Sequence, residues 1–201
     1  MPCLIITEMK SKILAEFPHH QIDMRNDDIY IADYSNQTNN RRTVEIQASK
    51  PDDIDCFYIA NTNHIELGIC IFNHDSFLDA DGNSLTQCEC ISFPASATII
   101  KPWVLFLELK YCLFKNATKK LNEAKKQVFA TMNYYKLKEI IEHGQLCYLI
   151  VSLPQQNNSP FENFIMTPAE NARLRKEEKI IFKGVNEISI NEDHIDFNLY
   201  Q

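Results

Sequence analysis

Glu108 and Lys110 stand inside the run Trp103-Val104-Leu105-Phe106-Leu107-Glu108-Leu109-Lys110-Tyr111-Cys112, where eight of ten residues are apolar or aromatic. Such a run predicts a strand buried on both faces. Burying a carboxylate and an ammonium is expensive unless they pair, bind a metal or line a cleft. The two-residue period of a strand puts Glu108 and Lys110 on one face and Leu107, Leu109 and Tyr111 on the other. The two charges therefore act as a unit. The preceding strand-like run carries another acid, Glu89, within Gln87-Cys88-Glu89-Cys90-Ile91. Carboxylates on neighbouring strands are the ligands a hard divalent cation takes, and an amine beside them offsets charge building on a phosphate. The bland alternative is an ion pair on an edge strand, contributing about 0–1 kcal/mol. The apolar flanks of Glu108 argue against an edge.

The elements that would position these groups are legible around them. Residues 65–72 read as a strand, and Asp79-Ala80-Asp81-Gly82-Asn83 as a turn. Residues 88–93 form a second strand closed by Pro94, and 104–112 a third. Asn116 or Thr118 can cap a long helix running to His143, with Gly144 as its stop. On that helix Leu121, Ala124, Val128, Met132 and Tyr135 make the sheet-facing stripe, with Gln127 at its border. A fourth strand spans 147–153 and ends at Pro154. Before this core, Leu4, Ile5, Met9, Ile13 and Phe17 recur at helical spacing up to Pro18, and strands are predicted at 29–32 and 43–48 around an asparagine-rich loop. Residues 51–63 suit a short helix or an extended segment. After the core come a short helix from Pro168 to about Lys179 and strand or coil segments at 180–190 and 195–200. The expected fold is a single α/β domain with a mixed central sheet, a hairpin start and a helical crossover to a parallel strand, flanked by helices.

Composition narrows the function classes. The chain has 201 residues, 45% hydrophobic and 23% charged, which fits one ordinary globular domain. No apolar stretch reaches membrane-spanning length, no secretory layout opens the chain, and no membrane partner is expected. Only four glycines occur, so a phosphate-cradling glycine loop and a dinucleotide fingerprint are absent. The seven cysteines are odd in number and lie mostly in apolar runs, which reads as free thiols in a reducing cytoplasm. Cys88 and Cys90 are expected to share a strand face in the core. The six histidines are scattered without ligand spacing and are read as non-catalytic. Although the net charge is −7, residues 101–138 hold nine lysines against two acids. Taken alone that basic segment reads as a solvated, lysine-rich helix face, and beside the Glu108 strand in an acidic protein it suggests a site for a polyanion.

The order strand, strand, Glu-x-Lys strand, helix, strand, with an acid on the preceding strand, resembles the PD-(D/E)xK nuclease superfamily, the restriction-endonuclease-like fold. The resemblance covers roughly residues 64–153, leaving 1–63 and 154–201 as N- and C-terminal extensions. Its motif is carried by Glu89 and by Glu108-Leu109-Lys110, and Lys126-Gln127-Val128 is similar to the helix glutamine of several branches. The family's first acid is usually an aspartate, often after proline; here Glu89 follows Cys88. Asp75, Asp79 and Asp81 are rivals for that place, the last two better explained as turn formers around Gly82.

The resemblance implies a Mg²⁺- (or Mn²⁺-) dependent hydrolase cutting phosphodiester bonds in nucleic acid, DNA before RNA. Glu89 and Glu108 would hold the metal, Lys110 and Gln127 would complete the catalytic set, and Lys119, Lys120, Lys125 and Lys126 would attract the backbone. A homodimer, or a protein partner supplying specificity, would suit so small a chain. The competing expectation is the same fold without catalysis, as an interaction module or adaptor in a nucleic-acid-processing or defence complex.

Overall fold

The strands among the described residues sort into two sheets. The computed structural model describes residues 4–35, 43–73, 76–95, 102–156 and 165–197. Asp75, Lys101 and the side chains of Leu4 and Ile5 lie outside the described residues. The first sheet has six strands in the order β1 (Asp23–Arg25), β5 (Leu67–Ile71), β6 (Cys90–Pro94), β7 (Val104–Leu109), β8 (Cys147–Ser152) and β9 (Ile180–Gly184). β1 to β7 pair antiparallel along this order, whereas β7, β8 and β9 run parallel. The antiparallel start and parallel crossover are as the sequence leads one to expect. The crossover helix α2 (Ala117–Leu137) lies between β7 and β8.

The second sheet joins both ends of the chain. It runs β11 (Ile195–Asp196), β10 (Glu187–Ile190), β4 (Phe57–Ala60), β2 (Ile29–Asp33), β3 (Val44–Gln47). The ambiguous 51–63 segment thus supplies a strand, because β10 and β2 offer it partners on both sides. The extensions around the predicted core complete the fold: β1 and β9 extend the first sheet, and the remaining early and late strands build the second. Asn186 makes the turn between the sheets, its Oδ1 accepting from Ser152 Oγ at 2.9 Å and from the Leu153 N–H at 2.9 Å.

The layers differ from a sheet flanked by helices on both sides. Met9, Ile13 and Phe17 of and beside α1 (Leu4–Glu16) pack with the Leu121, Ala124, Val128, Met132 and Tyr135 stripe of α2 in one core. Phe93, Phe106 and Leu149 meet them from the first sheet. The opposite face of that sheet carries Ile69, Leu105, Leu107, Leu109 and Ile150, and these pack on Ile29, Ile31, Phe57, Ile59 and Ile188 of the second sheet. Helices therefore cover one face and a sheet covers the other. Strands β7 and β8 are wholly buried, as a strand sandwiched between layers must be. At Gly68, paired with Phe93, an added Cβ would come within 2.7 Å of the Phe93 ring, so this strand position needs a glycine.

Three local expectations change. Helix α2 ends at Leu137, short of His143, and the chain turns through Glu139 (φ 55°) before Gly144 (φ 76°). Asn116 sits at the N-cap but makes no side-chain cap bond. Cys88 and Cys90 do not share a face: Cys88 joins the helix-side core and Cys90 the inter-sheet core, because the chain bends at Glu89. The predicted 168–179 helix forms as α3 (Pro168–Arg173), capped by the Thr167–Glu170 box, and continues as a π-helical turn to Glu178. All six cysteines among the described residues are free. No described helix is long and apolar enough to cross a membrane.

Candidate functional site

Register brings the predicted acids together. Cys90 pairs with Leu107 at the end of the antiparallel β6–β7 ladder, which puts the preceding Glu89 beside the end of β7 that carries Glu108. The Glu89 N–H donates to the Leu107 carbonyl at 3.0 Å, so Glu89 and Cys90 both face Leu107 in a β-bulge. Glu108 shares the parity of the helix-side residue Phe106 on β7. Lys110 follows β7, its N–H donating to the Ser152 carbonyl at 2.9 Å, which carries the parallel pairing one residue past the strand.

Glu108 is 0% exposed, and its Oε1 accepts from the Lys110 Nζ, whose side chain is 19% exposed. Its other oxygen, Oε2, is buried and has no hydrogen-bond partner among the described residues. A buried acceptor left unmade costs about 1–3 kcal/mol, and more if charged. Burial, then the neighbouring Glu89 charge, pushes the Glu108 carboxyl well above the usual range, against the pull of Lys110. Glu89 is pushed up to about 7, first by burial and then by the charge of Asp33, while Lys110 and a hydrogen-bonding approach to Glu108 oppose the rise. Burial draws the Lys110 ammonium down, but Glu108, Glu89 and Asp33 together outweigh it and hold it above its ordinary value. Burial thus disfavours the charged form of both glutamates, while the acids around Lys110 favour its ammonium.

Helix α2 holds the approach to Glu89. The Cys88 N–H donates to Thr131 Oγ1 at 2.8 Å, and Gln127 Nε2 donates to the Gln87 carbonyl at 3.0 Å. Gln127 therefore reaches the backbone two residues before Glu89 and not the cluster itself. The four expected lysines divide. Lys120 pairs with Glu123 at 2.8 Å, and Lys125 donates to the Ile165 carbonyl at 2.9 Å. Lys119 and Lys126 are exposed, and Lys126 borders an open cleft of about 490 Å³ shared with Gln87, Glu123 and Gln127. Asp79 is the turn former expected, accepting the N–H groups of Asp81 and Asn83 at 2.9 and 2.8 Å. His20, its ring against Ser76 and Phe17, is lowered to about 4 by burial.

Asp33 was not anticipated. It closes β2 in the second sheet, is 3% exposed, and places a further carboxylate where its charge acts on Glu89, Glu108 and Lys110. The signal was present: an acid ending the apolar run Ile29-Tyr30-Ile31-Ala32, on the parity of the buried Ile29 and Ile31.

The donor set suits a small hard cation held by two carboxylates, with water and substrate oxygens completing its shell. Glu108 Oε2, buried and unpartnered, is the atom such an ion would satisfy. Among the described residues, no three His, Cys, Asp or Glu side chains group closely enough to hold a metal by themselves. No protein-family model, curated protein or solved structure matches the chain.

Proposed function

We propose that this chain is a divalent-metal-dependent nuclease, hydrolysing phosphodiester bonds in DNA before RNA, on a restriction-endonuclease-like core. The observation that carries the reading is Glu108 Oε2: a fully buried carboxylate oxygen without a hydrogen-bond partner among the described residues, two residues before Lys110 and next to Glu89. Proteins do not keep such an oxygen for stability, since an apolar residue would serve the core better. Glu89 and Glu108 would hold Mg²⁺ or Mn²⁺, which when bound polarises the phosphate and offsets its charge. Lys110 keeps its ammonium beside the acids, where it can orient an attacking water or balance developing negative charge. In the reaction the water oxygen bonds to phosphorus, the phosphorus–oxygen ester bond breaks, the water's proton leaves to solvent, and the departing ester oxygen takes up a proton from solvent to leave as a hydroxyl. Lys119 and Lys126, exposed on α2, are the lysines best placed to meet a phosphate backbone, with Lys120 and Lys125 contributing at longer range. Cutting both strands of a duplex would call for a homodimer or a protein partner.

The complete burial of Glu108 favours a second reading, a non-catalytic module in which the Glu108–Lys110 pair only marks a former site. One experiment separates them. Plasmid nicking with and without Mg²⁺, run with the wild type, Glu108→Gln and Lys110→Gln, should show metal-dependent cleavage in the wild type alone. Mg²⁺ should also raise the melting temperature of the wild type by mass action. Absence of both effects overturns the nuclease reading.

A further inference from the structure

A second group of cations lies away from α2, in the C-terminal part of the chain. A cleft of about 500 Å³ opens between the π-helical turn after α3 and β9, the edge strand of the first sheet, and Arg175, Lys176, Lys179 and Lys183 line it. Among the described residues no acid shares that lining, although the net charge of the chain is −7. The two acids of the same turn, Glu177 and Glu178, go to Arg173 instead, at 3.2 and 3.5 Å. No described acid pairs with Arg175, Lys176 or Lys179. Asn171 Nδ2 donates to the Phe182 carbonyl at 3.0 Å and so ties the helical wall of the cleft to the strand. Cations near the end of a helix suit its carbonyl dipoles, and that alone would account for Arg175 and Lys176. Two observations go further. Lys183 reaches the cleft from β9, its ammonium 5.7 Å from the centre of the Phe197 ring. Lys179 has φ 57°, the left-handed conformation in which glycine is the usual residue after a helix. The chain keeps a cation at a backbone position that favours no side chain at all.

We propose that this cleft binds the phosphate backbone of a nucleic acid, as a site distinct from the α2 lysines. Four positive charges converging from two elements on one concavity raise the local concentration of a polyanion. The Arg175 guanidinium can take two phosphate oxygens at once, and the ammonium groups act as point charges beside it. A membrane surface also offers phosphates, but the element that enters it carries large apolar side chains next to its cations. The large apolar residues exposed among the described ones, Met24, Leu78, Leu113, Phe114 and Leu137, all lie outside this lining. The choice of nucleic acid among polyanions rests on the nuclease reading, whereas the cleft itself owes nothing to Glu89 or Glu108. The C-terminal extension then holds the substrate as well as completing the sheets.

The test is fluorescence anisotropy of a short labelled DNA duplex titrated with the full chain, in EDTA to prevent cleavage and over a range of KCl. The variant combines Arg175→Gln, Lys176→Gln and Lys179→Gly. All three side chains are exposed and glycine suits the left-handed position, so its melting temperature should match the wild type. It should bind the duplex roughly 10–100-fold more weakly near physiological salt, and the slope of log K against log salt should fall by about 2–3. Binding within about twofold of wild type, with the slope unchanged, would overturn the proposal. So would wild-type protein that fails to bind the duplex, or that binds phosphatidylserine vesicles in its place. Wild type that binds the duplex through these residues yet never nicks it with Mg²⁺ would defeat the nuclease reading and leave this site standing.

Discussion

Two lysine–glutamate pairs lie near one another in the chain, and they differ in almost everything but chemistry. Lys110–Glu108 joins a fully buried carboxylate to a side chain 19% exposed, with one oxygen orphaned and two further acids acting on it. Lys120–Glu123 spans one turn of α2 at 2.8 Å, with both side chains 40% exposed. Water solvates the helix pair whether or not it forms, so it is nearly neutral for folding. The strand pair has given up that solvation, and the attraction inside the protein repays the loss only when every lone pair is satisfied. One of them is not. The contrast separates an ordinary surface contact from a site held at a cost, and cost without structural return is what a binding or catalytic role explains.

The largest effect that sharpens this contrast is on Lys110. Removing one partner of a buried pair costs about 3–5 kcal/mol, so Lys110→Ala should shift urea unfolding by that order, reduced in so far as water reaches the ammonium. Replacing both groups, Glu108→Met with Lys110→Met, should be neutral or stabilise by about 1–4 kcal/mol, while abolishing any thermal response to Mg²⁺. A double replacement as damaging as the single one would mean that the pair is structural.

Next in size is the dependence on pH. Glu89 is pushed up to about 7 from an ordinary value of 4.5, chiefly by burial. The folded state therefore holds this proton more tightly than the unfolded chain. Its contribution is complete below pH 4.5 and is lost as pH rises through 7, at most about 1.4 kcal/mol per pH unit for one proton. Metal-free protein should accordingly melt lower at pH 8 than at pH 5.5 through this group, and Glu89→Gln should flatten that slope. A slope unchanged by Glu89→Gln would place the retained proton elsewhere.

Much of the fold was legible because period and burial coincide. Strand β7 reads as sandwiched, the α2 stripe from Leu121 to Tyr135 reads as sheet-facing, and the turn at Gly82 has its Asp79. The second sheet was not legible as a sheet. Its strands come from early and late parts of the chain, and residues 57–60 are extended because β10 and β2 pair with them on either side. The site divides the same way. Glu89, Glu108 and Lys110 are local to a hairpin and its neighbour, so spacing brings them together. Asp33 enters from the second sheet, and no spacing within 64–153 could supply it. The bend at Glu89, which turns Cys88 to the helices and Cys90 to the other sheet, depends on Thr131 some forty residues later.

The smallest effect belongs to the exposed pair, and it is the control for the rest. The hydrogen bond from Lys120 holds the Glu123 carboxyl below its ordinary range. Its sign is opposite to that of Glu89: the stabilisation is present above the unfolded value and is lost as pH falls through the folded one. Lys120→Ala should therefore let the Glu123 carboxyl resonance titrate at higher pH, while costing no more than about 1 kcal/mol, most of it erased by salt. Mn²⁺ affinity should be unchanged. If Lys120→Ala destabilised the protein as much as Lys110→Ala, burial would not be what distinguishes the two pairs. The orphaned oxygen of Glu108 would then lose its meaning as the mark of a cation site.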